Sequence, residues 1–480
     1  MPRLVWFRSD LRVGDNTALH AACSATSDGV VGLYLITPEE WRAHDVSANQ
    51  VDLRLRCVRA LSASLARLNI PLLVVRVPRS AEVARTVTRV AQEHACDRVH
   101  FNKEYEIDEQ RRDEAVVAAC AKAGIVAEGH TDQSLLEPGE VRTGEGKWYT
   151  VFTPFKKACI ARMKERGVPG MVPVPKKQAK LRIESSEVPA SVAGFEAQVD
   201  PSLWPAGEAH AVKMLERFAG GAIREYKARR DFPGDEDGTS RLSAYLAVGA
   251  ISPRQCLHAA IEANAGSASP LDAGNAGAVH WISEVLWREF YIHIMVGFPR
   301  VCMHRAFQLG TERLRWSENE EHLEAWKAGR TGIPIVDAGM RQLLATGWMH
   351  NRVRMITAMF LTKNLFIDWR LGERHFMRNL VDGFLASNNG GWQWSASTGT
   401  DAAPYFRIFN PVSQSAKFDP EGTYIRRWVP ELAGVRGEAI HEPWTLPLLL
   451  RAGLDYPGPI VDLSASRQRA IEAFQALRGS

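Results

Sequence analysis

The chain has 480 residues, 45% of them hydrophobic and 24% charged, with a net charge of only +4. That balance describes a globular protein of two domains with a core large enough to enclose a cofactor, and it excludes a polycation that coats nucleic acid by charge alone. The seven scattered cysteines (Cys23, Cys57, Cys96, Cys120, Cys159, Cys256 and Cys302) form no CxxC pair, so neither a disulfide framework nor a zinc or iron–sulfur centre is expected. No charged-then-apolar signal segment opens the chain and no apolar run approaches ~18 residues, which makes the cytoplasm the expected compartment.

Residues 1–130 alternate short apolar runs with amphipathic stretches. Leu4–Phe7, Val30–Ile36, Leu72–Val77 and Val99–Asn102 read as strands, and Gln50–Leu68, Ala81–His94 and Asp108–Ala123 as helices. This alternation predicts a doubly wound, parallel α/β domain with right-handed crossovers. Neither G-x-G-x-x-G nor a Walker A loop is present, so ordinary dinucleotide or NTP binding there has no support. Residues 131–206 read as a connector, irregular and rich in Pro, Val and Lys from about Gly167 to Pro205, and expected to be ordered against the protein. From 207 to 480 the helical period dominates, which predicts a nearly all-α second domain.

Four stretches of the second half carry candidate chemistry. In GTSRLSAYLAVG (Gly238–Gly249), small hydroxyls and a fixed guanidinium at a predicted helix start suit a phosphate, although plain capping by Thr239 or Ser240 would explain the same residues. On the predicted helix His280–Val296, Trp281, Glu284, Arg288 and Tyr291 form one stripe with Trp287 beside it; this fits either a cavity around a heterocycle or a buried ion pair on a core helix. Around GWMHNRVRMITAMFL, seven basic residues (Arg341, Arg352, Arg354, Lys363, Arg370, Arg374 and Arg378) face two acids, the pattern of a phosphate-tracking surface or of a solvated charged face. The last stretch, Asp382–Pro411, sets Asn388, Asn389, Gly390 and Gly391 before Trp392 and Trp394; two indoles two residues apart cannot share a helical face. Ten of the 14 tryptophans lie between Trp281 and Trp444, too many beside polar and glycine-rich neighbours for core packing alone.

Taken together, LVWFRSDLRVGDN, GTSRLS, WREFY, GWMHNRVRM and NNGGWQWSASTGTDAAPYFRIFNP resemble the photolyase/cryptochrome family, from Leu4 to about Ile460. The resemblance is to the microbial class I enzymes that repair cyclobutane pyrimidine dimers. It implies an α/β domain on the antenna side and a helical domain that binds FAD and the DNA lesion. Positions matching the family's FAD contacts are Tyr226, Thr239, Ser240, Arg241, Leu242, Ser243, Trp281, Arg288, Trp348, Asn351, Arg354, Asp382 and Asn388. Arg354 and Asp382 match an ion pair beside the isoalloxazine, and Asn388 the amide that faces flavin N5.

The implied reaction is electron transfer: photoexcited, reduced FAD donates an electron to a flipped-out dimer, the cyclobutane ring splits, and the electron returns. Trp287 and Trp394 match the indoles that grip the dimer, Glu284 the carboxyl that hydrogen-bonds it, and Met355 a further wall of its pocket. A donating Glu284 would have to be protonated, which desolvation favours. Arg230, Arg352 and Arg407 match phosphate contacts, and Trp392, Trp369 and Trp316 a chain of indoles from flavin to surface. Asn351 and Met355 fit the dimer-repair enzymes; the (6-4) enzymes carry His at both.

For the antenna, 5,10-methenyltetrahydrofolate is implied by His44, Glu109 and Cys302, with Asp108 and Met303 departing from the familiar Asn and Lys. Phe384 departs as well: many relatives read Asp-Gly-Asp where this chain reads Asp382-Gly383-Phe384, which is expected to weaken FAD binding or alter its redox behaviour. Expected partners are dimer-containing DNA and no membrane, with a monomer that needs no protein partner. The rival readings are a blue-light photoreceptor without repair activity and a single-strand nucleic-acid binder without chemistry.

Overall fold

The computed structural model describes residues 1–477. Five parallel strands, β1 (Arg3–Phe7), β2 (Val30–Ile36), β3 (Leu72–Arg76), β4 (Arg98–Asn102) and β5 (Val126–His130), form one sheet in the order β3-β2-β1-β4-β5. The order reverses at β1, as the doubly wound reading requires. Every residue of β2 is buried, because helices cover both faces of a parallel sheet and the strand becomes a continuous apolar run. The edge strand β5 escaped the sequence reading: VAEGH is short, mostly not apolar and has no buried residue, so it has neither an apolar run nor clean alternation.

The helices predicted between the strands lie at Ala48–Arg67, Val83–Glu93 and Ile107–Lys122. Side-chain caps fix several starts. Ser47 accepts from the N–H of Gln50, and Ser252 and Gln255 form a reciprocal capping box ahead of helix Pro253–Ala263. Asn275 accepts from the N–H groups of Gly277 and Ala278 and starts the long helix Ala276–Gly297. Gly277 is required there, since a Cβ would collide with the carbonyls of Ile223 and Arg224.

The stretch 131–206 contains a helix, Phe152–Arg166, and is then irregular except for a 3-10 turn at Pro201–Leu203. The irregular part is ordered against the sheet domain: Gln178 N–H donates to Leu68 O at 3.1 Å, Ser186 N–H to Leu72 O at 2.8 Å, and Leu181 and Ile183 pack on the sheet's core. By compactness the chain forms two units. The first comprises Met1–Arg224, Ser240–Pro299 and Val381–Phe384; the second comprises Glu225–Thr239, Arg300–Leu380 and the chain from Leu385 on. The second unit is helical, around a core that includes Trp326, Trp369, Trp392, Phe360 and Phe376. Among the described residues no helix is long and apolar enough to cross a membrane.

Candidate cofactor and lesion site

In the first unit, helix Ala276–Gly297 sets the predicted stripe. Trp281 is buried against Phe218 (centroids 5.2 Å apart), and Trp287 is stacked on Phe152 at 3.7 Å and 11°. Phe152 was not anticipated, because its place in sequence, as the first residue of a basic helix, gives no hint of a stacking partner. The Glu284 side chain is 29% exposed and lies 3.6 Å from His280 Nε2, one helical turn back.

Arg288 is the cation of the stripe, and its side chain is nearly buried. Its Nη1 donates to Gln133 O at 2.5 Å, and its guanidinium carbon lies 4.6 Å above the ring of Phe384. Among the described residues the carboxylate within 4 Å is Glu289, at 3.9 Å, beyond hydrogen-bond reach. Burial pushes Glu289 up to about 7, so it carries only part of a negative charge near neutrality. Burial likewise lowers Arg288 below its ordinary value. Asp382 is buried and Gly383 O accepts from Gln50 Nε2 at 2.6 Å, which anchors the turn that presents Phe384. The expected helix start at Gly238–Ser240 is displaced: the helix is Ser243–Ala247, without a side-chain cap, so neither Thr239 nor Ser240 caps it. Arg241 instead holds a left-handed backbone (φ 52°), an unusual cost for a residue with a Cβ; Ser240 Oγ accepts from Leu242 N–H at 3.4 Å.

At the antenna positions of this unit, His44 sits 3.0 Å from Glu109 and 3.5 Å from Asp108. The hydrogen bond to Glu109 outweighs burial and raises His44 to about 9. A raised histidine stabilises the fold fully below its unfolded value near 6.5, and the contribution disappears as pH rises through 9. Urea titrations between pH 6 and 9.5 should therefore show a decline of about 1–3 kcal/mol that His44→Ala abolishes; an equal decline in the variant would exclude His44 as its source. Cys302 and Met303 belong to the second unit, in the turn Pro299–Met303.

In the second unit, Tyr226 is buried with Arg230 over its ring at 5.4 Å. Asp231, which the sequence reading passed over, holds two of the three arginines predicted to contact phosphate: Arg352 Nη2 donates to it at 2.8 Å and Arg230 Nε lies 3.7 Å away. An acid directly after two arginines was the available signal. Arg352 also lies over Phe418 at 4.3 Å and 3.8 Å from Met355 Sδ, whereas Arg407 is exposed. Helix Asn351–Met359 is capped by His350, whose Nδ1 accepts from Arg352 N–H. His350 Nε2 is a buried donor with no hydrogen-bond partner among the described residues, and burial lowers the ring to about 4, so it is neutral. Trp348 is buried, Asn351 exposed, and Arg354 Nε donates to Met349 O at 2.8 Å.

On helix Leu385–Ala396, Asn388 Nδ2 donates to Glu373 O at 3.0 Å. The two indoles diverge as expected: Trp392 is 2% exposed and edge-on to Phe376 and Trp326, while Trp394 neighbours Phe409 at 6.4 Å. Trp369 is fully buried, and Trp316 is half-buried against Phe366.

The basic stretch Arg341–Arg378 does not form one continuous basic face. Arg341 is paired with Glu431, Arg370 with Glu312 and Asp368, and Lys363 is wholly buried on Ser397 Oγ, Ala396 O and the Phe474 ring. A linear count of charge could not separate these structural cations from the exposed Arg374 and Arg378.

Arg288, a buried guanidinium with a weak counter-ion, is a donor that suits a large anionic heterocycle such as FAD. Residues 3–177 match the family described as DNA photolyase, and residues 281–476 the FAD binding domain of DNA photolyase. Over 99% of its length the chain is 48% identical to 98% of a deoxyribodipyrimidine photo-lyase of Escherichia coli. A bacterial class III photolyase from Agrobacterium tumefaciens superposes with a TM-score of 0.85 at 35% identity, covering 100% of this chain and 98% of that one. A cryptochrome of Synechocystis also superposes at 0.85, with 28% identity over 98% of this chain and 99% of that one. Motifs, topology and near-half identity along both whole chains agree: this chain belongs to the DNA photolyase family.

Proposed function

We propose that this protein repairs cyclobutane pyrimidine dimers in DNA under blue light, with FAD as its catalytic cofactor. The observation that carries the reading is the 48% identity to a deoxyribodipyrimidine photo-lyase over the full length of both chains; the cryptochrome likeness is much lower at 28%. When bound, FAD supplies the light-excited electron donor. Tyr226, Thr239, Ser240, Arg241, Leu242, Ser243, Trp281, Arg288, Trp348, Asn351, Arg354, Asp382 and Asn388 hold it. Trp287 and Trp394 offer ring faces to a flipped dimer, Met355 fills the space beside it, and Glu284 addresses its carbonyls by hydrogen bonds. Flipping is eased because the lesion already stacks and pairs poorly.

Arg230, Arg352 and Arg407 receive the flanking phosphates. The first two must turn from Asp231 to do so, which keeps them positioned beforehand. Residues 1–130 serve the antenna and 207–480 the flavin and lesion, joined by 131–206. Methenyltetrahydrofolate is the antenna on this reading, at His44, Asp108, Glu109, Cys302 and Met303; the protein acts as a monomer in the cytoplasm.

The test is the light-dependent loss of dimers from UV-irradiated oligothymidine with reduced holoprotein and a dark control. Loss in light alone is expected. No loss with bound, reduced FAD would sink the repair reading and direct attention to light-dependent partner binding.

A further inference from the structure

Arg288 is a buried cation held in an unusual way. Its side chain is 11% exposed, its hydrogen bond goes to a neutral carbonyl, and the Glu289 carboxylate stands at 3.9 Å. Placing a guanidinium in such a site costs several kcal/mol unless something of opposite charge or polarisability meets it. The ring face of Phe384, 4.6 Å from the guanidinium carbon, meets part of that need through a cation–π contact. It does so without neutralising the charge. A carboxylate at the same place would instead form a charge-assisted pair and cancel it.

We propose that Phe384 is a positioning residue: its ring orients the Arg288 guanidinium and leaves its positive charge available to the bound cofactor, which biases FAD toward its negatively charged reduced form. The proposal rests on the reading of Arg288 as a flavin contact. A planar ring restricts the guanidinium to stacked orientations, and the Gln50 hydrogen bond to Gly383 O fixes the turn that carries the ring. Gln133 O then sets the guanidinium's rotation within the stack. Glu289, driven toward its neutral form by burial, competes only weakly for the charge.

The experiment is a spectroelectrochemical titration of the flavin in the holoprotein, together with FAD retention on dilution. Phe384→Asp should shift the reduced-to-oxidised ratio at least tenfold toward oxidised, about 30 mV for a two-electron couple. Phe384→Tyr, which keeps the ring, should stay within twofold of the parent in both measurements. Phe384→Leu should leave FAD retained at least fivefold more weakly, because the guanidinium loses its platform without gaining a counter-charge. An unchanged potential in Phe384→Asp, or a Leu variant that matches the parent in both measurements, would overturn the proposal. If Arg288→Leu alters neither the flavin spectrum nor its potential, the flavin-contact reading itself has failed, and the proposal falls with it.

Discussion

Replacing Asp132 by Ala should remove about 3–5 kcal/mol of stability, the range expected when one partner of a buried ion pair is deleted. Asp132 is 1% exposed and stands between two buried guanidinium groups, those of Arg12 and Arg254. Arg254 Nη2 lies 2.7 Å from Asp132 Oδ1 and its Nε 3.0 Å from Asp15 Oδ2, while Arg12 Nη1 donates to Gly249 O at 3.0 Å. Thr17 donates its N–H and hydroxyl to the same carboxylate at 3.0 and 2.9 Å. One acid therefore links the Asp10–Asn16 loop, the segment after β5 and helix Pro253–Ala263. Two arginines against Asp15 and Asp132 balance; without Asp132, a buried positive charge is left over.

Although burial works against it, the two arginines hold the Asp132 carboxyl down at about 2. Its folded value lies below its unfolded one, so its contribution is present above about pH 3.8 and is lost as pH falls through 2. Urea unfolding at pH 7 and across the acid limb measures both effects. A loss below about 1 kcal/mol in Asp132→Ala, or an unaltered acid limb, would show that the cluster is merely tolerated. Asp132→Asn keeps an acceptor for Thr17 and should fall between the parent and Ala.

How legible this molecule is in its sequence depends on what kind of force places each residue. Strands β1, β2 and β4 could be read because a parallel sheet buried on both faces writes itself as an apolar run; the edge strand β3 could be read too, since LLVVR is still apolar, whereas VAEGH of β5 offers neither an apolar run nor clean alternation. Helix Ala276–Gly297 was legible for the same reason: one stripe of four residues must share a face. Lys363 was misread in the company of true surface cations because burial of a lone lysine leaves no mark on its neighbours in sequence. Its pKa is lowered to about 7 by that burial alone. Pairings across distance, such as Asp231 with Arg352 or Phe384 with Arg288, are set by the crossing of elements, which no local period records. Nor could composition foretell that Ser240–Pro299 would pack with the α/β unit while Glu225–Thr239 belongs to the helical one.

Trp392→Phe should slow light-driven reduction of oxidised FAD at least tenfold, while protein reduced chemically beforehand still repairs dimers within about twofold of the parent. Indole gives up an electron far more readily than a phenyl ring, so the substitution removes a hopping site and keeps an aromatic of similar shape. Gly372 lets the Trp392 ring lie directly against helix Trp369–Asn379, and the smaller ring leaves a void that costs about 1–2 kcal/mol. The fold therefore survives, and the effect is read in electron transfer. The structure also supplies a control. Trp326 makes an edge contact with Trp392 at 5.9 Å and donates its N–H to Thr357 O at 3.1 Å, so a Trp392 that has given its electron to the flavin has a second indole at hand to refill it. If the path runs through Trp369 to the half-buried Trp316, Trp369→Phe lowers photoreduction as strongly as Trp392→Phe, and Trp326→Phe leaves it within about threefold. Trp326 lies in the interior of the helical core, with no exposed surface from which to recover an electron, which is the physical reason to favour Trp369 and Trp316. Equal losses in the Trp326 and Trp369 variants would mean that hopping follows ring contact rather than the path toward solvent, and a Trp392 variant that photoreduces like the parent would remove the indole chain altogether.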